Sequence, residues 1–311
     1  MKKSTKISVI ITTHNRSKWL DGCIQSVLSQ NYKNYEAIIV DDGSIDDTKD
    51  VIRKYLNSVQ YIYKNKSGIA AARNVGCRAA KGNYIAFVDD DDLMHPDRLT
   101  KLYGTMEQYP EAVCVFSQGT FFEKSGKELN EKVWINLPEE NNPRFIYNAY
   151  EQQLKAAITI TPLNTLIKKT AGEKIGWFDE TFIHGCEDTD FFIRLSKVGG
   201  VVYVPEILTY VRKPGHKSIH RDRIRSAFSK LQLLEKHIKI NQKLNQIENI
   251  KLLKNREYHF IKECIIINKD LDKNEFMHKI NLNRLILKLP IKKMVYLFYL
   301  RFKVIPSKRK T

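Results

Sequence analysis

Apolar runs and amphipathic stretches alternate along the first ninety residues. Ile7-Ser8-Val9-Ile10-Ile11 is β-branched and apolar, the composition of a strand buried on both faces. Trp19, Cys23, Val27 and Leu28 recur at helical spacing and predict a helix over 17–30. Tyr35 to Val40 reads as a second strand, closed by the turn-forming group Asp41-Asp42-Gly43-Ser44. Asp46 or Asp47 is placed to cap a helix running to about Leu56. Tyr61-Ile62-Tyr63 is a short strand, the Ala-rich stretch from Gly68 to Ala80 a helix, and Tyr84 to Val88 a fourth strand. This β-α-β-α-β-α-β rhythm predicts an α/β fold: a mostly parallel, Rossmann-like sheet flanked by helices.

Further on the pattern is mixed. Val113 to Phe116 and Val201 to Val204 look like strands, and 145–156 and 187–198 look helical, the latter with a C-terminal cap at Gly199-Gly200. Residues 222–268 contain no Gly or Pro and favour helix. Charge divides the chain in the same place. Of the net +17, residues 1–220 carry +2 and residues 221–311 carry +15. Two parts with different jobs are expected, a catalytic domain over 1–220 and a helical, strongly basic extension over 221–311. No secretory signal and no bilayer-spanning window is visible, and the five scattered cysteines form no CxxC pair. A reduced, cytoplasmic setting is the expectation.

Four aspartates, Asp89-Asp90-Asp91-Asp92, directly follow the apolar run Tyr84–Val88. An acidic run normally lies in a polar, solvated stretch. This one sits where a buried strand ends, the edge at which open α/β sheets bind ligands. Carboxylates there suit a hard divalent cation, Mg2+ or Mn2+, that itself carries phosphates.

Six segments lie in the order of one family pattern: Ile10-Ile11-Thr12-Thr13-His14-Asn15-Arg16, Ser26 to Tyr32 leading into Ile39-Val40-Asp41-Asp42-Gly43-Ser44, Ala72-Arg73-Asn74-Val75-Gly76, Phe87 to Asp92, Gly176-Trp177-Phe178-Asp179-Glu180, and Glu187-Asp188-Thr189-Asp190. Over roughly residues 5–215 the chain closely resembles family 2 glycosyltransferases, inverting enzymes of the GT-A fold, of the kind that build bacterial surface polysaccharides. The resemblance implies a nucleoside-diphosphate-sugar donor (a UDP-sugar by default), Mn2+ or Mg2+, and a hydroxyl on a glycan or lipid-linked saccharide acceptor.

By that resemblance Asp91 is the metal ligand, and Asp89 and Asp90 contact the ribose or support the metal. Thr12, His14, Arg16 and Asp42 line the nucleoside pocket, with Asp42 accepting from the base and His14 stacking on it. Arg73 contacts the diphosphate or donor, or is a surface residue of an Ala-rich helix. Asp188 is the catalytic base; alternatively it only caps the helix that follows. His216, and less firmly Arg212, close over the diphosphate, with His216 able to reach the metal. Asp92 is placed to cap the next helix. Trp177 and Phe178 read as core or pocket wall.

Residues 286–304 mix aromatic, aliphatic and cationic side chains, and 281–311 hold nine basic residues and no acidic one. This suits an anionic membrane surface, so the protein is expected to be cytoplasmic and peripheral on the inner face of the membrane. A helix packing its apolar face on the domain fits equally well. Other classes fit less well. The positive charge sits in the rear and no nucleic-acid-binding module is recognisable, so no nucleic-acid partner is expected. No GxGxxG follows the first strand, against a dinucleotide-dependent oxidoreductase. A catalytically inactive sugar-nucleotide-binding module is the alternative that keeps the same pocket.

Overall fold

The computed structural model describes residues 6–123, 128–133, 141–213 and 223–267. The chain divides into two compact units, Met1–Ser218 and Ile219–Thr311. The first opens with β1 (Ile7–Thr13), α1 (Ser17–Leu28), β2 (Tyr35–Asp41), α2 (Thr48–Arg53), β3 (Gln60–Tyr63), α3 (Ile69–Ala79) and β4 (Tyr84–Asp89). The order β3-β2-β1-β4 is parallel throughout, as the alternating pattern predicts. Successive side chains of a strand point to opposite faces. Ile10, Ile38 and Phe87 therefore enter one hydrophobic layer, while Ile7, Val9, Ile11, Ile39 and Val88 enter the other. Helix α1 closes the second layer with Leu20, Cys23, Ile24 and Val27.

The unit continues through β5 (Leu93–Met94), α4 (Arg98–Gln108), β6 (Ala112–Phe122), β7 (Glu128–Lys132), β8 (Arg144–Phe145) and α5 (Ala149–Leu154). A 3-10 turn (Pro162–Asn164), β9 (Thr165–Lys168), α6 (Lys169–Ile175), α7 (Glu187–Leu195) and β10 (Gly200–Arg212) complete it. β9 runs antiparallel between β4 and β6, β6 and β10 are parallel, and β5 pairs antiparallel with β10. The whole is a mixed α/β sheet, parallel in its first half.

Several boundaries differ from the sequence pattern, β6 among them, which runs on to Phe122 rather than stopping at Phe116. The helix expected over 145–156 begins only at Ala149, because Phe145 belongs to β8. Helix α7 ends at Leu195 with Ser196 as its cap, short of Gly199-Gly200. Those glycines serve packing instead: a Cβ on Gly199 would lie 2.1 Å from Val113 Cγ1, and one on Gly200 2.4 Å from the Phe145 ring. β10 extends well past 201–204, with register shifts around Ile207 that mark a bulge.

In the second unit the helical stretch is two helices, α8 (Arg223–Lys243) and α9 (Ile247–Ile267). The break falls at Asn245, whose φ of 52° is the left-handed conformation in which Asn ends helices. Among the described residues no helix is long and apolar enough to cross a membrane. The basic segment 286–311 lies outside the described residues.

Candidate active site

The strand register levels the carboxyl ends of β1, β2 and β4. Thr12 stands beside Asp89 on one side and Val40 on the other, and Thr13 beside Asp41. The turns beyond β1 and β2 are stitched together. Asn15, with φ 53°, donates its backbone N–H to Ser44 Oγ (2.9 Å), and its side-chain oxygen accepts from Ile45 N–H (2.8 Å). Asp46 accepts from the backbone of Ser17 at the start of α1 (3.1 Å) and from Thr48 at the start of α2 (3.1 Å).

Asp41 and Asp42 separate in role. Asp41 is a turn carboxylate, accepting from Ser44 N–H (2.8 Å) and the Tyr61 hydroxyl (3.0 Å). The buried Asp42 accepts from Lys64 Nζ (2.6 Å), Ser67 N–H (2.9 Å) and Gly68 N–H (2.8 Å), which anchors the loop entering α3. Thr12 is buried and His14 half-buried, and the buried His14 Nδ1 atom has no hydrogen-bond partner among the described residues.

The four consecutive aspartates have four different environments. Asp89 accepts from Arg73 Nη2 (3.1 Å). Asp90 is buried, and burial, reinforced by Asp91 and Asp89, pushes its carboxyl up to about 7 against the pull of Arg16. Asp91 is partly exposed and forms a short ion pair with Arg16 Nη1. Burial works against the Arg16 charge, but Asp91, Asp90 and Asp89 more than offset it and strengthen the guanidinium's hold on its proton. Asp92 does not cap a helix. It is buried and accepts the backbone N–H of Arg212 (2.8 Å), while α4 begins only at Arg98.

Arg212 adds a second tie, from Nε to the Asp91 carbonyl (3.0 Å), and its guanidinium lies 4.5 Å from the Phe122 ring centroid and 5.4 Å from that of Trp19. It thus fixes the end of β10 to the acidic loop. Behind that loop lies Arg98, fully buried, donating to the carbonyls of Phe87 (3.1 Å) and Thr165 (3.3 Å). Burial lowers its guanidinium to about 9, with Asp92 opposing. The sequence reading missed Arg98, since an arginine in a first helical turn carries no signal of burial.

Residues distant in sequence meet these acids. Gly185 and Cys186, at φ 102° and 71°, turn the chain into α7, so that Glu187 and Asp188 occupy its first turn. The left-handed Cys186 is a conformation that costs a non-glycine residue roughly 1–2 kcal/mol. Arg73 donates from Nη1 to Glu187 (2.9 Å) as well as from Nη2 to Asp89 (3.1 Å). It is buried and is no surface residue of α3. Asp188 lies near enough to affect the protonation of Arg73, Asp89 and Glu187 alike. Burial and then Asp188 push the Glu187 carboxyl up, and Arg73 opposes them. The Asp188 Oδ1 atom accepts from the N–H (2.6 Å) and hydroxyl (3.2 Å) of Thr189, and among the described residues Oδ2 makes no hydrogen bond. Trp177 and Phe178 are core: Phe178 stacks on Phe191 at 4.3 Å and meets Phe87 edge-on at 5.5 Å.

The structure therefore brings Thr12, Arg16, Arg73, Asp89, Asp90, Asp91 and Asp188 to one end of the sheet, with Asp42 at the neighbouring strand end. His216 lies outside the described residues. Among the described residues no group of three or more His, Cys, Asp or Glu side chains is arranged to hold a metal. The partly exposed carboxylates of Asp89 and Asp91 nonetheless fit Mg2+ or Mn2+, which need only one or two protein carboxylates beside substrate phosphates.

Comparison with known proteins agrees with this geometry. An uncharacterized glycosyltransferase of Rickettsia conorii, RC0461, is 32% identical over 220 residues, covering 70% of this chain and 34% of that protein. Glycosyltransferase GlyA of Streptococcus pneumoniae is 31% identical over 182 residues, covering 55% of this chain and 25% of that protein. The chain thus matches only a quarter to a third of the length of these two relatives. The crystal structure of S. aureus TarS 1-349 in complex with UDP-GlcNAc superposes with a TM-score of 0.71 at 16% identity, covering 96% of this chain and 89% of that one. The mannosyltransferase PcManGT from Pyrobaculum calidifontis, in complex with GDP-Man and Mn2+, gives a TM-score of 0.53 at 15% identity, covering 99% and 89%. These likenesses establish the GT-A fold. The family model described as glycosyl transferase family 2 matches residues 8–176, from the first buried strand through the aspartate run, and the chain belongs to that family.

Proposed function

We propose that the chain is an inverting glycosyltransferase, moving a hexosyl or N-acetylhexosaminyl group from a nucleoside-diphosphate-sugar to a hydroxyl of a glycan or lipid-linked saccharide. One observation carries this reading: buried Arg73 ties the aspartate run at Asp89 to the first turn of α7, where Asp188 stands. A candidate donor site and a candidate base thus face one another, although 96 residues separate Asp92 from Asp188. A uridine donor is the reading the family resemblance supports, and the TarS structure holds UDP-GlcNAc in the same fold.

Thr12, His14 and Asp42 would hold the nucleoside, with the orphaned His14 Nδ1 available to a base or ribose oxygen. Asp89 and Asp90 would meet the ribose. Asp91, supported by Asp89, would hold Mn2+ or Mg2+, which supplies Lewis-acid stabilisation of the departing diphosphate when bound. Asp188 Oδ2 takes the proton of the acceptor hydroxyl as that oxygen attacks the anomeric carbon. The bond from that carbon to the phosphate oxygen breaks on the opposite face, its electron pair leaves with the diphosphate, and the configuration inverts. If the acceptor is lipid-linked, 286–311 would lie on the anionic inner face of the membrane, and a chain truncated before 286 would no longer sediment with anionic vesicles.

A panel of nucleotide-sugars, each with and without Mn2+ or Mg2+, tests the reading by thermal shift and by release of nucleoside diphosphate. A metal-dependent response to one donor is expected. Binding without turnover in the presence of a wide range of acceptors would leave the inactive-module reading standing instead.

A further inference from the structure

We infer that Arg73 is a positioning residue, a strut that sets the first turn of α7, and with it Asp188, at a fixed reach from the end of β4. The inference rests on the glycosyl-transfer reading for its functional consequence, though not for its geometry. The Arg73 side chain is only 4% exposed, and its two terminal nitrogens are divided between elements, Nη1 to Glu187 on α7 (2.9 Å) and Nη2 to Asp89 on β4 (3.1 Å). Glu187 is itself buried. With so little of the side chain exposed and both terminal nitrogens turned to protein carboxylates, Arg73 has little room to reach a diphosphate, so the direct donor role is the weaker use of this side chain.

The surroundings reinforce the same span. The guanidinium lies 5.4 Å from the centroid of the Phe178 ring, which packs against Phe87 of β4 and Phe191 of α7. The next residue on α3, Asn74, pins the segment leading to α7. Its Nδ2 donates to the Phe178 carbonyl (2.9 Å) and to Glu180 (2.8 Å), and its Oδ1 accepts the Phe178 N–H (3.0 Å). One turn of α3 therefore holds both the approach to α7 and its first turn, and it does so from a strand end that carries the aspartate run.

The fork of Arg73 is what makes it a strut. Guanidinium presents several donors in a rigid plane, whereas the lysine ammonium is a point charge on a flexible stem. Lysine at this position keeps the charge but loses the rigid planar fork that holds Glu187 and Asp89 at a fixed separation. Arg73→Lys is therefore the informative variant. Glu187→Gln, which weakens the same link from the other end, is measured beside it so that the decision does not hang on one variant folding.

Two readouts separate positioning from donor contact. Hydrogen–deuterium exchange of the nucleotide-free protein should show faster exchange of the Glu187–Asp190 amides in R73K and E187Q, with the β4 amides unchanged. Binding of UDP with Mn2+ should stay within about threefold of wild type, while kcat for the nucleotide-sugar selected by the panel falls about a hundredfold, the scale of loss for misplacement by about an ångström. In the double variant R73K/E187Q, kcat should fall no further than in R73K alone. Unchanged exchange at 187–190 overturns the strut whatever the activity. Loss of UDP binding in step with kcat overturns it in favour of a donor contact, as does wild-type kcat in R73K in favour of a passive core ion pair. If wild type turns over no donor, the glycosyl-transfer reading fails, and the exchange measurement still decides the strut.

Discussion

The two acidic ends of the site are neutralised in opposite ways. At the end of β4 the four aspartates are treated differently: Arg73 pairs with Asp89, Arg16 pairs with Asp91, the backbone N–H of Arg212 bonds Asp92, and burial pushes the Asp90 carboxyl up. At the start of α7, Glu187 pairs with Arg73, which Asp188 also influences, and that cation is shared with the other end. A partly exposed carboxylate held by a partly exposed arginine is suited to exchanging that arginine for a metal ion and diphosphate. At the α7 end the Asp188 carboxylate has Oδ1 engaged by Thr189, while Oδ2 makes no hydrogen bond among the described residues. On the proposed reading, the β4 end would trade counterions and the α7 end would take up a proton.

The sharpest way to break the comparison is at the α7 end. Asp188→Asn keeps the shape and the Thr189 bonds but cannot take the proton. Loss of a general base costs about 10²–10⁴ in rate. We expect kcat to fall by that much while the affinity for UDP with Mn2+ holds within about threefold. Normal transfer by D188N would remove Asp188 from the mechanism. At the β4 end Asp91→Asn should behave conversely, abolishing the part of the thermal shift that needs Mn2+ or Mg2+. Binding at a concentration about a hundredfold above Kd stabilises by about 2.7 kcal/mol, so the loss is readily seen. If D91N kept the full metal-dependent shift, the cation would be held elsewhere.

How much of this was legible follows from the same contrast. The parallel half could be read because β1, β2 and β4 are buried on both faces, which makes each a short apolar run ending in a polar turn. That placement also marked the aspartate run as a candidate site. The division of labour within the run was not legible, because four identical letters are told apart only by partners far along the chain: Arg16, 75 residues before Asp91, and Arg212, 120 residues after Asp92. Asp92 looked like a helix cap for this reason, and Arg73 like either a donor contact or a surface residue. The second half was harder. The bulge of β10 interrupts its alternation, and Gly199-Gly200 imitates a helix end while making room for Val113 and Phe145.

A smaller effect sharpens the idea of counterion exchange. Arg16 and Asp91 are both partly exposed, at 39% and 29%. Pairs of this kind contribute about 0.2–1 kcal/mol after solvent screening. Arg16→Gln removes the arginine that competes for Asp91, so Mn2+ alone should bind up to about fivefold more tightly, at 1.4 kcal/mol per tenfold. A Mn2+ titration of the nucleotide-free protein, followed by electron paramagnetic resonance, measures it. Weaker Mn2+ binding in R16Q would show that Arg16 supports the cation site and does not guard it.

The smallest effect concerns the loops that carry the β4 end's nucleotide side. Asp46 joins them by accepting from Ser17 at the start of α1 and from Thr48 at the start of α2. Its slight burial works against ionisation, but the bonds from Thr48 and Ser17 outweigh it and hold the carboxyl at about 2, below its ordinary 3.8. A depressed carboxyl stabilises the fold above its unfolded pKa, near 4, and that contribution fades as pH falls through the folded value. Because the side chain is exposed, the charge itself is well screened, and the hydrogen bonds set the scale. Asp46→Ala should cost about 1 kcal/mol at pH 7, the usual net worth of a hydrogen bond. Denaturant titrations at stepped pH should show the gap from wild type closing between pH 4 and 2. Asp46→Asn should retain part of the stability with no such pH dependence. UDP binding should weaken in D46A while exchange at 187–190 stays unchanged, because the clasp belongs to the nucleotide side alone. Altered exchange at α7 would mean that the two ends of the site are coupled by more than Arg73.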